Sequence, residues 1–306
     1  MKKLLSAVLV VVSLSAFAEE QRTTIVYGQD NRQDVNEVKD QRIKLLGKSV
    51  AGRIPNFSFE RNEEENKISF DNVQTLSSPM SMKVCSGERF AEQATAADCT
   101  GFLVGEDLLV TAGHCMMGMG QTIENGYSRQ CQNFSWMFDY TNDSDLKNVS
   151  MDNVYGCSLI VAGEFTHKMD YALIKLDRKV TGRTPLKLAQ NKVGLGEKIF
   201  VMGHPSGLPL KYADGARVFE TEEHYFSTNL DTFGGNSGSP VFNAKTLEVE
   251  GILVRGDTDY VMSFEDNGER CTKVNICDDE RENCLEDDTN ILGEHVNFIE
   301  VVNQNL

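Results

Sequence analysis

Short apolar segments recur along most of this chain, and turn residues separate them. Within these segments the apolar residues alternate with polar ones or form brief continuous runs, as they do in β-strands. The predicted strands are Gly101–Val104, Leu108–Ala112, Phe134–Tyr140, Val154–Val161, Tyr171–Leu176, Lys198–Gly203, Ala216–Glu220, Pro240–Phe242, Leu247–Val254 and Asp259–Ser263. Because no long helical pattern interrupts the series, it predicts antiparallel barrels or a sandwich.

The two ends of the chain depart from this pattern. Residues 1–18 have a basic start, an apolar stretch and an Ala-Phe-Ala ending, which is the pattern of a secretory signal peptide. Residues 19–42 are polar and charged, and we interpret them as a pro-segment or a lightly packed amino-terminal arm. Near the other end, Val296, Ile299 and Val302 recur at a spacing of three, which predicts a carboxy-terminal helix over Gly293–Asn303.

A break at residues 181–185 divides the remaining chain into two halves. We therefore expect one domain over residues 43–306, with a first unit over about 43–180 and a second over about 186–306. A chain of 306 residues, 40% of them hydrophobic, is long enough to bury a core in each.

Charge and the predicted signal limit the partners of the protein. The formal net charge is −16, and an acidic surface repels nucleic acid and anionic membranes. No segment after the signal is long and apolar enough to span a membrane, so we expect no stable membrane insertion. We expect a monomer that is secreted or periplasmic, and the short, simple signal is typical of a bacterium.

Eight cysteines follow the predicted signal, and an even number in such a chain favours disulfides. There is no Cys-x-x-Cys pair, so we expect neither zinc nor another metal. Cys131 and Cys157 lie beside successive predicted strands, and we expect them to pair across a hairpin. The pairing of Cys85, Cys271, Cys277 and Cys284 stays open.

Residues 234–240, Gly-Gly-Asn-Ser-Gly-Ser-Pro, suggest a nucleophile on a tight turn. A serine between glycines can expose its Oγ while neighbouring backbone N–H groups converge on one point, as acyl transfer requires. We interpret Ser237 as the nucleophile, and the N–H groups of Gly235 and Ser237 as an oxyanion hole.

His114 and Asp170 complete a candidate catalytic set. His114 follows a predicted buried strand, and an imidazole suits proton transfer at neutral pH. Asp170 precedes a half-buried strand and is predicted to orient the imidazole. The other four histidines are interpreted as structural, with His204 as the one that could line a cleft.

These motifs resemble those of the chymotrypsin/trypsin-like serine peptidases, and more closely the bacterial V8-like branch. The order His, Asp, Ser, the run Thr-Ala-Gly-His-Cys at 111–115 and the loop at 234–240 carry the resemblance over about residues 99–256. It implies two six-stranded antiparallel barrels with a triad between them, a Cys99–Cys115 disulfide beside the histidine, protein or peptide substrates, and no cofactor.

The resemblance also implies a substrate pocket. Asp231, six residues before Ser237, matches the position at the base of the primary pocket, while Gly256 and Leu253 match positions in its wall. A carboxylate at Asp231 favours substrates with Arg or Lys. Arg255 keeps glutamate specificity open as an alternative. Asn236 replaces the aspartate that pairs with the new amino terminus in trypsin-type activation.

Two rival functions differ in class. A non-catalytic binding protein on the same fold usually lacks a triad residue, and none is missing here. An α/β-hydrolase esterase would have the order Ser, Asp, His and long helices. A secreted serine endopeptidase is therefore the interpretation that the sequence favours.

Overall fold

The computed structural model describes residues 26–285 and 293–306, so the predicted signal peptide and residues 19–25 lie outside the described residues. Strands dominate, as the alternating pattern predicts. They are β1 Val26–Tyr27, β2 Arg32–Asp34, β3 Val50–Pro55, β4 Glu60–Asn62, β5 Lys67–Ser69, β6 Cys99–Leu103, β7 Leu108–Thr111, β8 Gln121–Gly126, β9 Phe134–Phe138, β10 Val149–Ser150, β11 Val154–Phe165, β12 Asp170–Leu176, β13 Lys198–Gly203, β14 Lys211–Thr221, β15 Tyr225–Thr228, β16 Pro240–Asn243, β17 Val249–Arg255, β18 Tyr260–Phe264, β19 Arg270–Val274, β20 Ile276–Cys277 and β21 Glu294–Phe298. The α-helices of the described residues are α1 Gln41–Gly47, α2 Gly113–Met116, α3 Arg129–Asn133 and α4 Glu300–Asn303.

Six strands close the first barrel in the order β3-β6-β7-β12-β11-β9, with β9 returning to β3, and all neighbours are antiparallel. Alternate residues of these strands point inward, and Leu109, Trp136, Ile160 and Ile174 are fully buried on that face. Residue 101 is a glycine because a Cβ there would collide with the Leu109 and Trp136 side chains.

The second barrel closes in the order β13-β16-β17-β21-β15-β14, with β14 returning to β13. Its interior contains Val201, Phe226, Val241, Leu253 and Val296. Apolar side chains of β13, β16 and β17 that face away from this interior pack into the core cluster of the first barrel. The expected fold of two six-stranded antiparallel barrels is thus confirmed.

Residues 26–42 of the amino-terminal segment pack against the second barrel, and their interpretation as a pro-segment stays a prediction. β2 pairs with β14 on the second barrel, and β1 runs parallel to β20. Arg32 and Asp34 are buried, and Asp34 forms an ion pair of 2.5 Å with Lys211. The other buried residues of the segment are Val26, Tyr27, Val35 and Val38. These few apolar anchors lie scattered in a polar stretch, so composition alone does not reveal the packing.

The predicted carboxy-terminal helix over Gly293–Asn303 is wrong in most of its length. Residues 294–298 form β21, the strand that closes the second barrel between β17 and β15, and only Glu300–Asn303 are helical. The β-branched Val296 fits a strand between two neighbours, and this packing prevails over the spacing of three.

All eight cysteines are paired, as Cys85–Cys271, Cys99–Cys115, Cys131–Cys157 and Cys277–Cys284. The two expected pairs are present. The first pair links the loop before β6 to β19 across 186 residues. Within the described residues, no helix is both long and apolar enough to cross a membrane.

Candidate active site

His114 lies on α2, a single turn that follows β7. Gly113 precedes it where the chain passes close to the Glu164 carbonyl, and a Cβ there would collide with that backbone. The disulfide from Cys115 to Cys99 ties the turn to β6. The imidazole packs against the Phe165 ring at 5.8 Å between centroids. The close packing at Gly113, the disulfide and the Phe165 ring together fix the position of His114.

Asp170 opens β12 and is held against this histidine. Its Oδ2 lies 2.8 Å from His114 Nδ1, and its Oδ1 accepts the backbone N–H of His114 at 2.8 Å. The carboxylate is buried. With Asp170 at Nδ1, the ring nitrogen Nε2 is the one left to exchange a proton with a nucleophile.

The same aspartate is also bound from the second barrel. Its N–H donates to Oδ1 of Asn297 at 2.9 Å, and the amide nitrogen of Asn297 donates to the His224 carbonyl. Asn297 lies on β21, so the second barrel helps to position Asp170. Sequence reasoning missed this residue because it assigned a helix there.

Ser237 lies between the barrels, next to the histidine turn. Its carbonyl accepts the N–H of Thr100 at 2.8 Å and lies 3.8 Å from Sγ of Cys115, the neighbour of His114. The N–H of the following Gly238 donates to the Leu253 carbonyl at 2.7 Å. These contacts bring Ser237, His114 and Asp170 into one site.

Gly235 has the backbone that the expected oxyanion hole requires. Its φ is +93°, a region that a side chain disfavours, and a Cβ would collide with the His204 carbonyl. Thr100 Oγ1 holds its carbonyl at 2.8 Å. Among the described residues, neither the N–H of Gly235 nor that of Ser237 donates to a backbone acceptor, which leaves both for a substrate oxygen.

Beside Ser237 a small depression is lined by Phe233, Gly234, Leu253, Val254, Arg255 and Gly256. Gly256 and Leu253 thus lie where the resemblance places a pocket wall. The room left there is about that of one water molecule.

Asp231 is placed differently from our expectation. It does not line the depression, and both of its oxygens accept backbone N–H groups, from Tyr27 at 2.8 Å and from Asn31 at 2.7 Å. Burial raises the pKa of this carboxyl to about 7. Asp231 therefore anchors the amino-terminal segment, and the structure gives no support for it as a binding group for substrate.

Two groups of cysteine, histidine and glutamate side chains lie close enough together to bind a metal ion, but their cysteines are in disulfides. Within residues 26–285 and 293–306, the clusters are Cys99 with His114 and Cys115, and Cys85 with Glu265 and Cys271. In each the two cysteines are bonded to each other, so neither supplies a thiolate.

His204 is a structural histidine. It is buried and stacks on Tyr140 at 5.4 Å, and its Nδ1 lies 2.9 Å from the Leu208 carbonyl. Burial lowers the pKa of His204 to about 4. The folded protein thus favours the neutral ring.

We expect His204 to make the protein acid-sensitive. Below about pH 6.5 His204 binds a proton in the unfolded chain but stays neutral in the folded chain. The free energy of unfolding therefore falls as the pH decreases from about 6.5 to 4, by roughly 3 kcal/mol in total. His204→Phe should flatten that part of the dependence of unfolding free energy on pH, measured by urea denaturation. His167→Gln, at an exposed histidine, is the control, and an equal flattening there would contradict the assignment. His295 contributes to the same window, since burial also lowers its pKa to about 4.

Two barrels with an Asp–His pair and a serine turn between them define the class of two-barrel serine peptidases. A family model, the trypsin-like peptidase domain, matches residues 99–252, half of the chain. The chain belongs to this family and is a serine-type endopeptidase.

Solved structures with similar folds share little sequence with it. A Glu endopeptidase in complex with MPD is 16% identical to this chain, with a TM-score of 0.44, and the alignment covers 82% of this chain and 94% of the endopeptidase. A protease of M. tuberculosis in its active form is 14% identical, with 83% and 86% covered and a TM-score of 0.42. Neuropsin from mouse brain is 17% identical, with 67% and 84% covered and a TM-score of 0.44. No curated protein matches the chain.

Proposed function

We propose that the chain hydrolyses peptide bonds through His114, Asp170 and Ser237. Ser237 Oγ attacks the carbonyl carbon of the scissile bond while His114 Nε2 accepts the hydroxyl proton. The imidazolium then gives this proton to the leaving amine, and water hydrolyses the acyl-enzyme by the same steps. Asp170, with both oxygens on His114, fixes the tautomer and stabilises the cation.

The N–H groups of Gly235 and Ser237 stabilise the tetrahedral oxyanion. Removal of one such donor costs roughly 2.7–4 kcal/mol of transition-state stabilisation. The observation that carries the proposal is the pair of 2.8 Å contacts between Asp170 and His114, with the Ser237 carbonyl next to Cys115.

Acyl-enzyme kinetics test this proposal. With a chromogenic peptide ester we expect a burst of about one equivalent of leaving group per enzyme before the steady state. A peptide amide of the same sequence should be cleaved, and a lipid ester should not. A chain that binds the peptides without cleaving either would instead be the non-catalytic homologue.

Secretion and specificity belong to the same proposal. We infer that the mature chain begins after Ala18 and works outside the cytoplasm, and its four disulfides suit an oxidising compartment. For specificity we favour substrates with Arg or Lys before the scissile bond. Arg255, which lines the depression, keeps acidic substrates as the alternative.

A further inference from the structure

A buried carboxylate lies directly behind the wall of the depression. Gly256 forms part of that wall, and a Cβ at residue 256 would overlap both carboxylate oxygens of Glu294. The missing side chain therefore leaves a space that the Glu294 carboxyl group fills. Glu294 opens β21, with its side chain on the same face as the buried Val296.

Only one oxygen of the Glu294 carboxyl group accepts a hydrogen bond from a side chain. Glu294 is completely buried, and its Oε2 accepts the hydroxyl of Thr232, yet its Oε1 has no hydrogen-bond partner. An unpaired acceptor at such depth is costly unless a ligand completes it. Oε1 therefore marks a place where a donor is missing.

Asp257 and Asp259 are the charged groups that act on Glu294, while the basic Arg255 lines the depression in front of it. Burial raises the pKa of Glu294 well above its usual range. The hydrogen bond from Thr232 and the nearby Asp257 backbone N–H lower it, and the carboxyl groups of Asp259 and Asp257 raise it. Asp259 contacts another part of the wall, since its Oδ2 accepts the N–H of Gly234 at 2.9 Å. Two acidic groups thus lie directly behind lining residues of the depression, at Gly256 and at Gly234.

We propose that Glu294, rather than Asp231, is the specificity-determining residue, and that its Oε1 pairs with the guanidinium or ammonium group of a substrate Arg or Lys. This inference rests on the proposed function. Buried carboxylates pair well with such cations when the remaining acceptors are already bonded, as Thr232 bonds Oε2 here. The depression beside Gly256 holds about one water molecule, so a substrate side chain enters it only as the wall opens and the Glu294 side chain turns to make room.

Glu250 offers a matched control. It is also a buried glutamate with one oxygen bonded, to the Asn243 amide at 2.9 Å, and the other, Oε2, unpartnered. Unlike Glu294, it does not lie behind Gly256. A general effect of removing a buried charge would appear equally in Glu250→Gln and Glu294→Gln.

The test compares kcat/KM for chromogenic peptides that differ only in the residue before the scissile bond: Arg, Lys, citrulline or Glu. Citrulline has the shape of arginine without its charge. In Glu294→Gln we expect the Arg and Lys values to fall by about 100-fold or more, with the citrulline value changed far less. Glu250→Gln and Asp231→Asn should keep the Arg-to-citrulline ratio of the wild type.

A binding measurement separates this inference from the proposed function. A fluorophosphonate probe labels Ser237 in both wild type and Glu294→Gln if the peptidase site is intact, and benzamidine, a small planar cation, should slow labelling only in the wild type. An unchanged Arg-to-citrulline ratio in Glu294→Gln, its loss in Asp231→Asn instead, or a preference for Glu would overturn the role of Glu294. Absence of labelling in the wild type would overturn the proposed function itself.

Discussion

Ser237→Ala and His114→Ala should each remove nearly all peptidase activity, by about 10⁶-fold in kcat, because nucleophile and base act as one unit. The hydroxyl cannot attack without the imidazole, and the imidazole has no proton to accept without the hydroxyl. Steady-state hydrolysis of an Arg peptide measures the loss. Tm by circular dichroism shows whether each variant is folded.

Asp170→Asn should cost about 10⁴-fold in kcat while the fold persists. Asp170 accepts two N–H groups of His114, at Nδ1 and at the backbone. An asparagine has only one oxygen, so its amide nitrogen must face one of these donors or force the other tautomer. Fluorophosphonate labelling of Ser237 should slow accordingly.

The control for the nucleophile is Ser239→Ala in the same loop, which should still be labelled. Labelling that survives Ser237→Ala would contradict the assignment of the nucleophile.

Gly238→Ala should reduce both activity and stability. The φ of Gly238 is +89°, and a Cβ there would overlap the Thr100 carbonyl and Thr111 Oγ1 and lie 2.8 Å from the Ala112 nitrogen. Backbone atoms of the first barrel cannot yield without moving the strands that carry His114. We expect a loss of at least about 100-fold in kcat/KM, because small displacements of catalytic groups are that costly, and a loss of stability of about 1–3 kcal/mol from overpacking.

Gly182→Ala isolates the packing contribution. Gly182 also has a positive φ, +73°, but no atom lies within 4 Å of its added Cβ. Both substitutions therefore carry the backbone strain of the left-handed region, and only Gly238→Ala adds the collision. Urea denaturation and kcat/KM of both variants give the comparison. Equal effects in the two would show that the nucleophile turn is not held against β6 and β7 as described.

The barrels could be predicted because their signals are local: alternation along each strand records which face is buried. The residues that we propose as catalytic could be named from the sequence because each stands within a distinctive short run. The pocket could not be predicted in this way. Glu294 is one acidic residue among 46, and its burial depends on β21 being a strand, which the spacing of Val296, Ile299 and Val302 contradicted.

The packing of the amino-terminal segment was unpredictable for a different reason. Tyr27 and Asp231, which are hydrogen bonded, lie 204 residues apart. Asp34 is as polar as any loop residue, and nothing in the neighbouring sequence indicates that Lys211, 177 residues away, forms an ion pair with it. Such pairs are defined only by the tertiary structure.

The strand order of the second barrel sets the timing of activity during synthesis. β1 and β2 are synthesised early, but their partner strands β20 and β14 are synthesised much later. β21 can close the second barrel only after residue 298 has been synthesised. Non-local pairing of this kind forms late in folding. The first barrel is complete at Leu176 and carries His114 and Asp170. The turn that carries Ser237 and the Asn297 side chain that binds the Asp170 N–H belong to the part of the chain that closes last. A nascent chain therefore lacks an ordered nucleophile turn until the second barrel closes.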